Sequence, residues 1–303
     1  MIRISQLIEK HFWIFLLAGI IIGLWQPLRS ETPPYLLKLL LGMMLFLVFI
    51  KIDAIEVFEK IKNFRLMIFI SVVYMIIVPL LFYFLTMFFD RQLATGLLLL
   101  TAMPAGVSSP ALVDLLKGNI PLAMSIAVVT QIIAPFTVPL LFWIIGSLSL
   151  EINILLVFRD IVMLIFIPMF LAQSAKRLFP RAISRGQHLF TSVNVFVLFS
   201  FVYIAISSQR DIIIENPVSL IWKTAVLYLV FALLHATGYL MGFRQNKENK
   251  IAYAVTSAYM NNGMAIVLAS AYFGPDILIL MVLSELPWNT LPAPFKKIVM
   301  YLN

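Results

Sequence analysis

The sequence predicts an all-α polytopic membrane protein: ten transmembrane helices forming two inverted five-helix repeats, with helices 4 and 9 broken and crossing. Three observations predict it. Of 303 residues, 62% are hydrophobic and only 12% charged, far from the composition of soluble domains. The apolar residues fall into ten runs, and about 20 residues of helix cross about 30 Å of hydrocarbon. Helix breakers recur inside the fourth and the ninth run, which are corresponding members of two halves.

The runs lie near 12 to 28, 35 to 50, 66 to 89, 92 to 116, 119 to 147, 152 to 175, 187 to 207, 218 to 242, 249 to 273 and 276 to 299. They are apolar on all sides, as between Leu66 and Phe89, whereas barrel strands alternate apolar and polar residues over roughly ten positions. The first run follows Arg3 and Lys10, but Gln26-Pro27-Leu28-Arg29 offers no small-x-small cleavage site, so it is expected to remain as helix one. Residues 1–150 form the first repeat, helices 1 to 5, and residues 151–303 the second, helices 6 to 10, in one integrated membrane domain.

The cations test this count, because short cytoplasmic loops accumulate Lys and Arg. Sixteen fall on the face shared by both termini: Arg3, Lys10, Lys51, Lys60, Lys62, Arg65, Lys117, Lys176, Arg177, Arg181, Arg185, Arg244, Lys247, Lys250, Lys296 and Lys297. The other face holds Arg29, Arg91 and Arg210, and Lys38, Arg159 and Lys223 fall within spans. The asymmetry predicts an even number of spans, with both termini in the cytoplasm of a plasma or bacterial inner membrane. The net charge of +8 is then topology and attraction to anionic headgroups rather than a nucleic-acid footprint. The charged link from Lys51 to Arg65 and the basic loop at 176–185 are expected to be interfacial.

Unwound backbone inside a bilayer must be satisfied by protein or by a water-filled cavity, so breaks at mid-depth point to a site. The fourth span carries Met103-Pro104-Ala105-Gly106-Val107-Ser108-Ser109-Pro110. Pro104 and Pro110 each lack a backbone donor and disfavour helix at the preceding residue. The ninth carries Ser257-Ala258-Tyr259-Met260-Asn261-Asn262-Gly263, two carboxamides and a glycine that lipid would not accommodate. Gly106 precedes Pro135 by 29 residues and Gly263 precedes Pro292 by 29, an internal echo of the repeat. Crossed broken helices bring four half-helix ends together. Amides at the N-terminal ends attract anions and free carbonyls at the C-terminal ends attract cations.

Few ionisable groups lie deep. Glu285 sits near the centre of the tenth span, where an ionised carboxylate costs at least about 2.5–3.5 kcal/mol, so it is expected to face the interior as a cation ligand or proton carrier. Asp114 is placed near the cytoplasmic end and hydrated. Arg159 and Asp160 are expected to pair locally, and His235 to be a hydrogen-bonded packing residue. Thr130, Gln131 and Asn194 would line a path or bond neighbouring helices. Three scattered His and no Cys supply neither a catalytic constellation nor a metal-ligand set, which argues against an enzyme.

The segment from Pro104 to Leu141 (PAGVSSPALVDLLKGNIPLAMSIAVVTQIIAPFTVPLL) resembles the bile acid:sodium symporter family, an SBF-like transporter pattern of a broken fourth helix, Lys-Gly-Asn and a later Ala-Pro. The similarity continues at SAYMNNGMAIVLASAYFG (257–274) and GMMLFLVFIKIDAIEVFEKIKNFR (42–65), and covers nearly the whole chain. The last helix, SELPWNTLPAPFKKI (284–298), looks like the related arsenite efflux permeases, whose Glu-x-Pro would give Glu285 and Pro287 the ion-coupling position. Those permeases carry a cysteine where this chain has Ala105, which disfavours arsenite efflux. Against the symporters' sodium ligands, Ser109 keeps the serine, whereas Pro110, Ala123, Ala127, Thr256, Met260 and Tyr74 stand at the other positions.

The resemblance implies a secondary active transporter, moving a small organic, anionic solute by alternating access with sodium or protons as the coupling ion and no other cofactor. Helices 4, 5, 9 and 10 would move against the rest. Ser108, Ser109, Asn261, Asn262, Gln131, Thr130 and Glu285 are the expected substrate or ion contacts. Pro104, Gly106, Pro110 and Gly263 are the expected helix breaks, and Ser109, Thr256 and Glu285 the expected sodium position. The expected partners are that solute and the lipid bilayer. The alternative is a membrane-embedded sensor or receptor that binds solute at the crossing without moving it.

Overall fold

The computed structural model describes residues 12–28, 33–52, 64–146, 153–215 and 217–301. Most of the link from Lys51 to Arg65 and the N-terminal Arg3 and Lys10 lie outside these. In chain order the helices are α1 (Phe12–Trp25), α2 (Pro34–Phe49), α3 (Phe64–Thr86), α4 (Arg91–Thr101), α5 (Ser109–Leu115), α6 (Ile120–Gly146), α7 (Ile154–Leu178), α8 (Pro180–Ser207) and α9 (Arg210–Glu215). Then come α10 (Pro217–Met241), α11 (Lys247–Ala258), α12 (Asn262–Tyr272), α13 (Pro275–Leu283), α14 (Glu285–Thr290) and α15 (Pro292–Tyr301).

Among the described residues five helices are long and apolar enough to cross a membrane: α3, α6, α7, α8 over Leu189–Ser207 and α10 over Leu220–Met241. The stretch Pro275–Thr290 with Pro292–Tyr301 makes a sixth if its 43° bend lies within one span. The tenth run was expected as one helix with Glu285 near its centre, and here the structure differs. The run is divided at Ser284 and again at Leu291, so Glu285 opens a short helix instead. Pro287 and Pro292 supply no N–H to the preceding turn, which frees carbonyls and loosens the helix at both places. Elsewhere proline is absorbed: Pro135 and Pro139 lie inside α6 and Pro168 inside α7. In α3 the turn before Pro79 widens to a π-helix over Val73–Ile77, closed by the Val78 N–H on the Val73 carbonyl.

The chain forms two compact units, Met1–Ala54 with Val162–Pro217, and Ile55–Ile161 with Val218–Asn303. In the first, α1 packs on α8. A Cβ on Gly23 would come within 2.9 Å of the Ile206 side chain and 3.1 Å of the Tyr203 carbonyl, so glycine is what permits this approach. Helix C-termini leave carbonyls without partners, and side chains supply them here. The Tyr203 hydroxyl donates to Gln26 O, Arg210 Nε to Leu24 O, and Gln173 Nε2 to both Phe49 O and Ile52 O.

The second unit holds both interrupted runs, α4 with α5 and α11 with α12. After α5 the chain turns at Lys117, whose φ of 59° is left-handed, and Gly118 N–H closes the helix on Val113 O. Asn119 then has three partners. Its N–H donates to Glu248 O, its Nδ2 donates to Asn249 Oδ1, and its Oδ1 accepts the Leu122 N–H that starts α6. The Lys-Gly-Asn stretch thereby ties the end of α5 to the beginning of α11.

Candidate functional site

α4 stops at Thr101 and α5 starts at Ser109, with Pro110 in its first turn. α11 stops at Ala258 and α12 starts at Asn262. Both interruptions fall within the predicted proline, glycine and asparagine runs, and they meet. Ala105 lies opposite Met260 in an antiparallel bridge. Gly106 N–H donates to Tyr259 O at 2.8 Å and Asn261 N–H to Pro104 O at 2.8 Å. Gly106 has to be glycine, because a Cβ there would sit 2.9 Å from Tyr259 O and 3.2 Å from Met260 O.

Neighbouring helices satisfy the rest of the unwound backbone. From α6, Thr130 Oγ1 accepts the Ala105 N–H at 3.1 Å and Gln131 Nε2 donates to Ala105 O at 3.2 Å. From α14, Trp288 Nε1 donates to Met260 O at 3.1 Å. Gly106 O accepts from Ser109 N–H, and Asn261 Oδ1 caps α12 by accepting the Met264 N–H. In the extended segments between the half-helices, the carbonyls of Pro104, Ala105, Gly106, Tyr259 and Met260 all have donors. Two extended segments lying antiparallel pair with each other as strands do, so these main-chain groups hold the crossing together.

Side-chain atoms are left over instead. Ser109 Oγ, Gln131 Oε1, Ser257 Oγ, Asn262 Oδ1, Asn289 Oδ1 and Asn261 Nδ2 are buried without a partner, six of nine such atoms among the described residues. An unmatched buried polar group costs about 1–3 kcal/mol, so their concentration on the crossing elements calls for a ligand, an ion or water. Glu285 is buried beside them. Its Oε2 accepts from Asn289 Nδ2 at 3.1 Å, and the same carboxamide also donates to Glu285 O. Asn262 Nδ2 donates to Ser284 Oγ at 2.9 Å, and that hydroxyl donates to Met281 O.

The predicted residues thus divide. Ser109, Asn261, Asn262, Gln131 and Glu285 are buried with polar atoms at the crossing, whereas Ser108 is exposed. The Thr130 hydroxyl is engaged with Ala105 N–H and with Ile126 O, and Thr256 Oγ1 donates to Ala252 O within its own helix. No hydrogen bond links Ser109, Thr256 and Glu285 to one another among the described residues. His235 is a bonded packing residue as expected. Its Nδ1 must donate to Phe231 O at 2.7 Å, so Nε2 accepts from the Tyr259 hydroxyl at 3.1 Å. Arg159 pairs with Asp160 at 3.2 Å, and Tyr272 donates to the other carboxylate oxygen at 2.8 Å. Asp114 is exposed, and Asn194 Oδ1 is buried without a partner on α8. Sequence reasoning overlooked Ser257, Tyr259, Trp288 and Asn289. Only Asn289 was signalled, four residues after Glu285 and so on the same helical face.

Comparison with known proteins gives this arrangement a family. Residues 10–289 match the model of the SBF-like CPA transporter family. The chain is 22% identical over 281 residues to a protein of Bacillus subtilis named uncharacterized sodium-dependent transporter YocS, covering 90% of this chain and 85% of that one. It is 25% identical over 186 residues to the probable sodium/metabolite cotransporter BASS4, chloroplastic, of Arabidopsis thaliana, covering 55% of this chain and 42% of that one. It is 23% identical over 300 residues to the uncharacterized protein PA2026 of Pseudomonas aeruginosa, covering 93% and 90%. The apolar helices, the paired breaks and this match over most of the chain lead to one conclusion: the chain is an integral membrane protein and belongs to the SBF-like CPA transporter family, a family of transporters and not of enzymes.

Proposed function

We propose that the protein is a sodium-coupled secondary transporter of a small organic anion, working by alternating access at the crossing of the two broken spans. The observation that carries this reading is the group of six partnerless buried polar atoms around that crossing. Five are neutral oxygens, and with the Glu285 carboxylate they form a donor set suited to a hard monovalent cation. Ser109, Gln131, Ser257, Asn262 and Asn289 supply oxygen to the ion, and Glu285 balances its charge. Asn261 Nδ2, at the N-terminus of the eleven-residue α12, faces the anionic group of the solute. The word sodium in the names of YocS and BASS4 favours that ion over protons.

The reading includes ten spans in two inverted repeats, residues 1–150 and 151–303, with both termini cytoplasmic. It is supported by the way the units divide the chain. In each half the first two spans contribute to one unit and the last three to the other. The 16-to-3 distribution of cations supports the orientation.

The test is thermal stability of the purified protein in sodium chloride and in choline chloride at equal ionic strength, across pH. A saturable rise in melting temperature with sodium is expected, growing further when a transported carboxylate is added. Equal melting in both salts at every pH would overturn sodium coupling. Sodium-driven flux in proteoliposomes then separates a transporter from a receptor.

A further inference from the structure

A cleft between α10 and α15 lies outside the site described above. Ala232, His235, Ala236 and Tyr239 follow i, i+3, i+4, i+7 spacing on α10, and Leu291, Pro294, Phe295 and Ile298 repeat it on the facing segment. The two alanines are too small to fill the gap between these stripes, leaving a cavity of about 360 Å³. His235 and Phe295 close its floor with ring centroids 4.4 Å apart. Both imidazole nitrogens are engaged, with Phe231 O and the Tyr259 hydroxyl, so the floor offers no free polar atom. The Tyr239 hydroxyl is the exception in the lining: it is buried and has no partner. Leu240 and Ile298 are exposed at the rim, as lipid-facing side chains of a membrane helix are.

Charge marks one end. Lys250 Nζ lies 5.5 Å from the Tyr239 ring centroid, a cation held over an aromatic face. Arg244 sits over Phe243 nearby in sequence, and Lys296 and Lys297 immediately precede Ile298 on α15. No carboxylate lies within ion-pair distance of Lys250 among the described residues. The walls are apolar, one hydroxyl needs an acceptor, and a lysine stands over the ring that carries that hydroxyl. The order matches an acyl chain, its ester carbonyl and a phosphate.

We propose that this cleft binds one acyl chain of an anionic phospholipid, with the ester carbonyl accepting from Tyr239 and the phosphate lying against Lys250. A free fatty acid carries one polar group for both Tyr239 and Lys250, whereas a phospholipid offers an ester to the first and a phosphate to the second. The site is distinct from the crossing but adjoins it, because His235 is hydrogen-bonded to Tyr259, whose carbonyl holds Gly106.

The test uses delipidated full-length protein in detergent, with dioleoylphosphatidylglycerol, dioleoylphosphatidylcholine and oleate as probes, read by thermal stability and by native mass spectrometry. Phosphatidylglycerol is expected to bind and raise the melting temperature, with little effect from the other two. Tyr239→Phe, isosteric apart from the hydroxyl, should weaken that binding about five- to tenfold. Ala236→Trp, which fills the cleft, should abolish it while leaving the melting temperature in lipid-free detergent at or above that of the wild type. Phosphatidylglycerol acting equally on Ala236→Trp would overturn the proposal, as would undiminished binding to Tyr239→Phe. Phosphatidylcholine or oleate reproducing the full shift would overturn the anionic phospholipid as occupant.

Discussion

Gly106→Ala is the sharpest perturbation of the crossing. The added methyl would stand 2.9 Å from Tyr259 O and 3.2 Å from Met260 O. Both are backbone atoms fixed by further bonds, from Gly106 itself and from Trp288, so neither can swing aside as a side chain would. The segments must separate, which strains the two 2.8 Å bonds between them. Each such bond is worth about 1 kcal/mol net, and each buried donor left unmatched costs about 1–3 kcal/mol. The expected loss is therefore about 2–4 kcal/mol, on the order of thirty- to several-hundredfold in the folding equilibrium. Denaturant titration in detergent measures it against Gly274→Ala, where the added methyl meets nothing within 4 Å and the backbone already has ordinary dihedrals. That control should stay within about 1 kcal/mol of wild type. If the two variants were equally stable, the crossing would not be the close backbone contact described.

Glu285→Gln keeps the shape of the side chain and removes its charge, so membrane insertion is expected to be normal while sodium-dependent stabilisation and gradient-driven uptake are lost; full uptake would remove Glu285 from the coupling role. Ser109→Ala deletes a buried hydroxyl that has no partner, so stability should hold or rise by about 1 kcal/mol while a sodium titration of the melting temperature shifts to higher concentration. An unshifted titration would show that Ser109 is no ligand. Thr130→Val leaves the Ala105 N–H without its acceptor and should cost about 1–3 kcal/mol in equilibrium unfolding; a loss under about 0.5 kcal/mol would mean the break does not depend on it. Tyr272→Phe removes the hydroxyl that donates to Asp160, with an expected loss of about 1–2 kcal/mol by the same measurement, and an unchanged stability would show that this contact is not held in the membrane.

The parts of the architecture that were legible are those written in backbone chemistry. Pro104, Gly106 and Pro110 announce an interruption because proline lacks a donor, and Asn261, Asn262 and Gly263 announce another because amides avoid lipid. What those interruptions would touch was not legible. Thr130 and Gln131 are legible as polar residues able to line a path or bond a neighbouring helix, but only the fold brings them 25 and 26 residues back onto Ala105. Nothing in the sequence around Trp288 announces that its indole donates to Met260 O. The tenth span was expected as one helix because its apolar length was right. Its fracture at Ser284 and Leu291 depends on where Pro287 and Pro292 release carbonyls, which length does not convey.

The bridge between Ala105 and Met260 is made of main-chain atoms, and every amino acid except proline brings the same main chain. Apart from Gly106, which needs its missing Cβ, positions beside the bridge can be exchanged over evolutionary time without dismantling it. Such a scaffold tolerates changing side chains around it while keeping one architecture. Identities near 22–25% spread over most of the chain are what that freedom would leave behind.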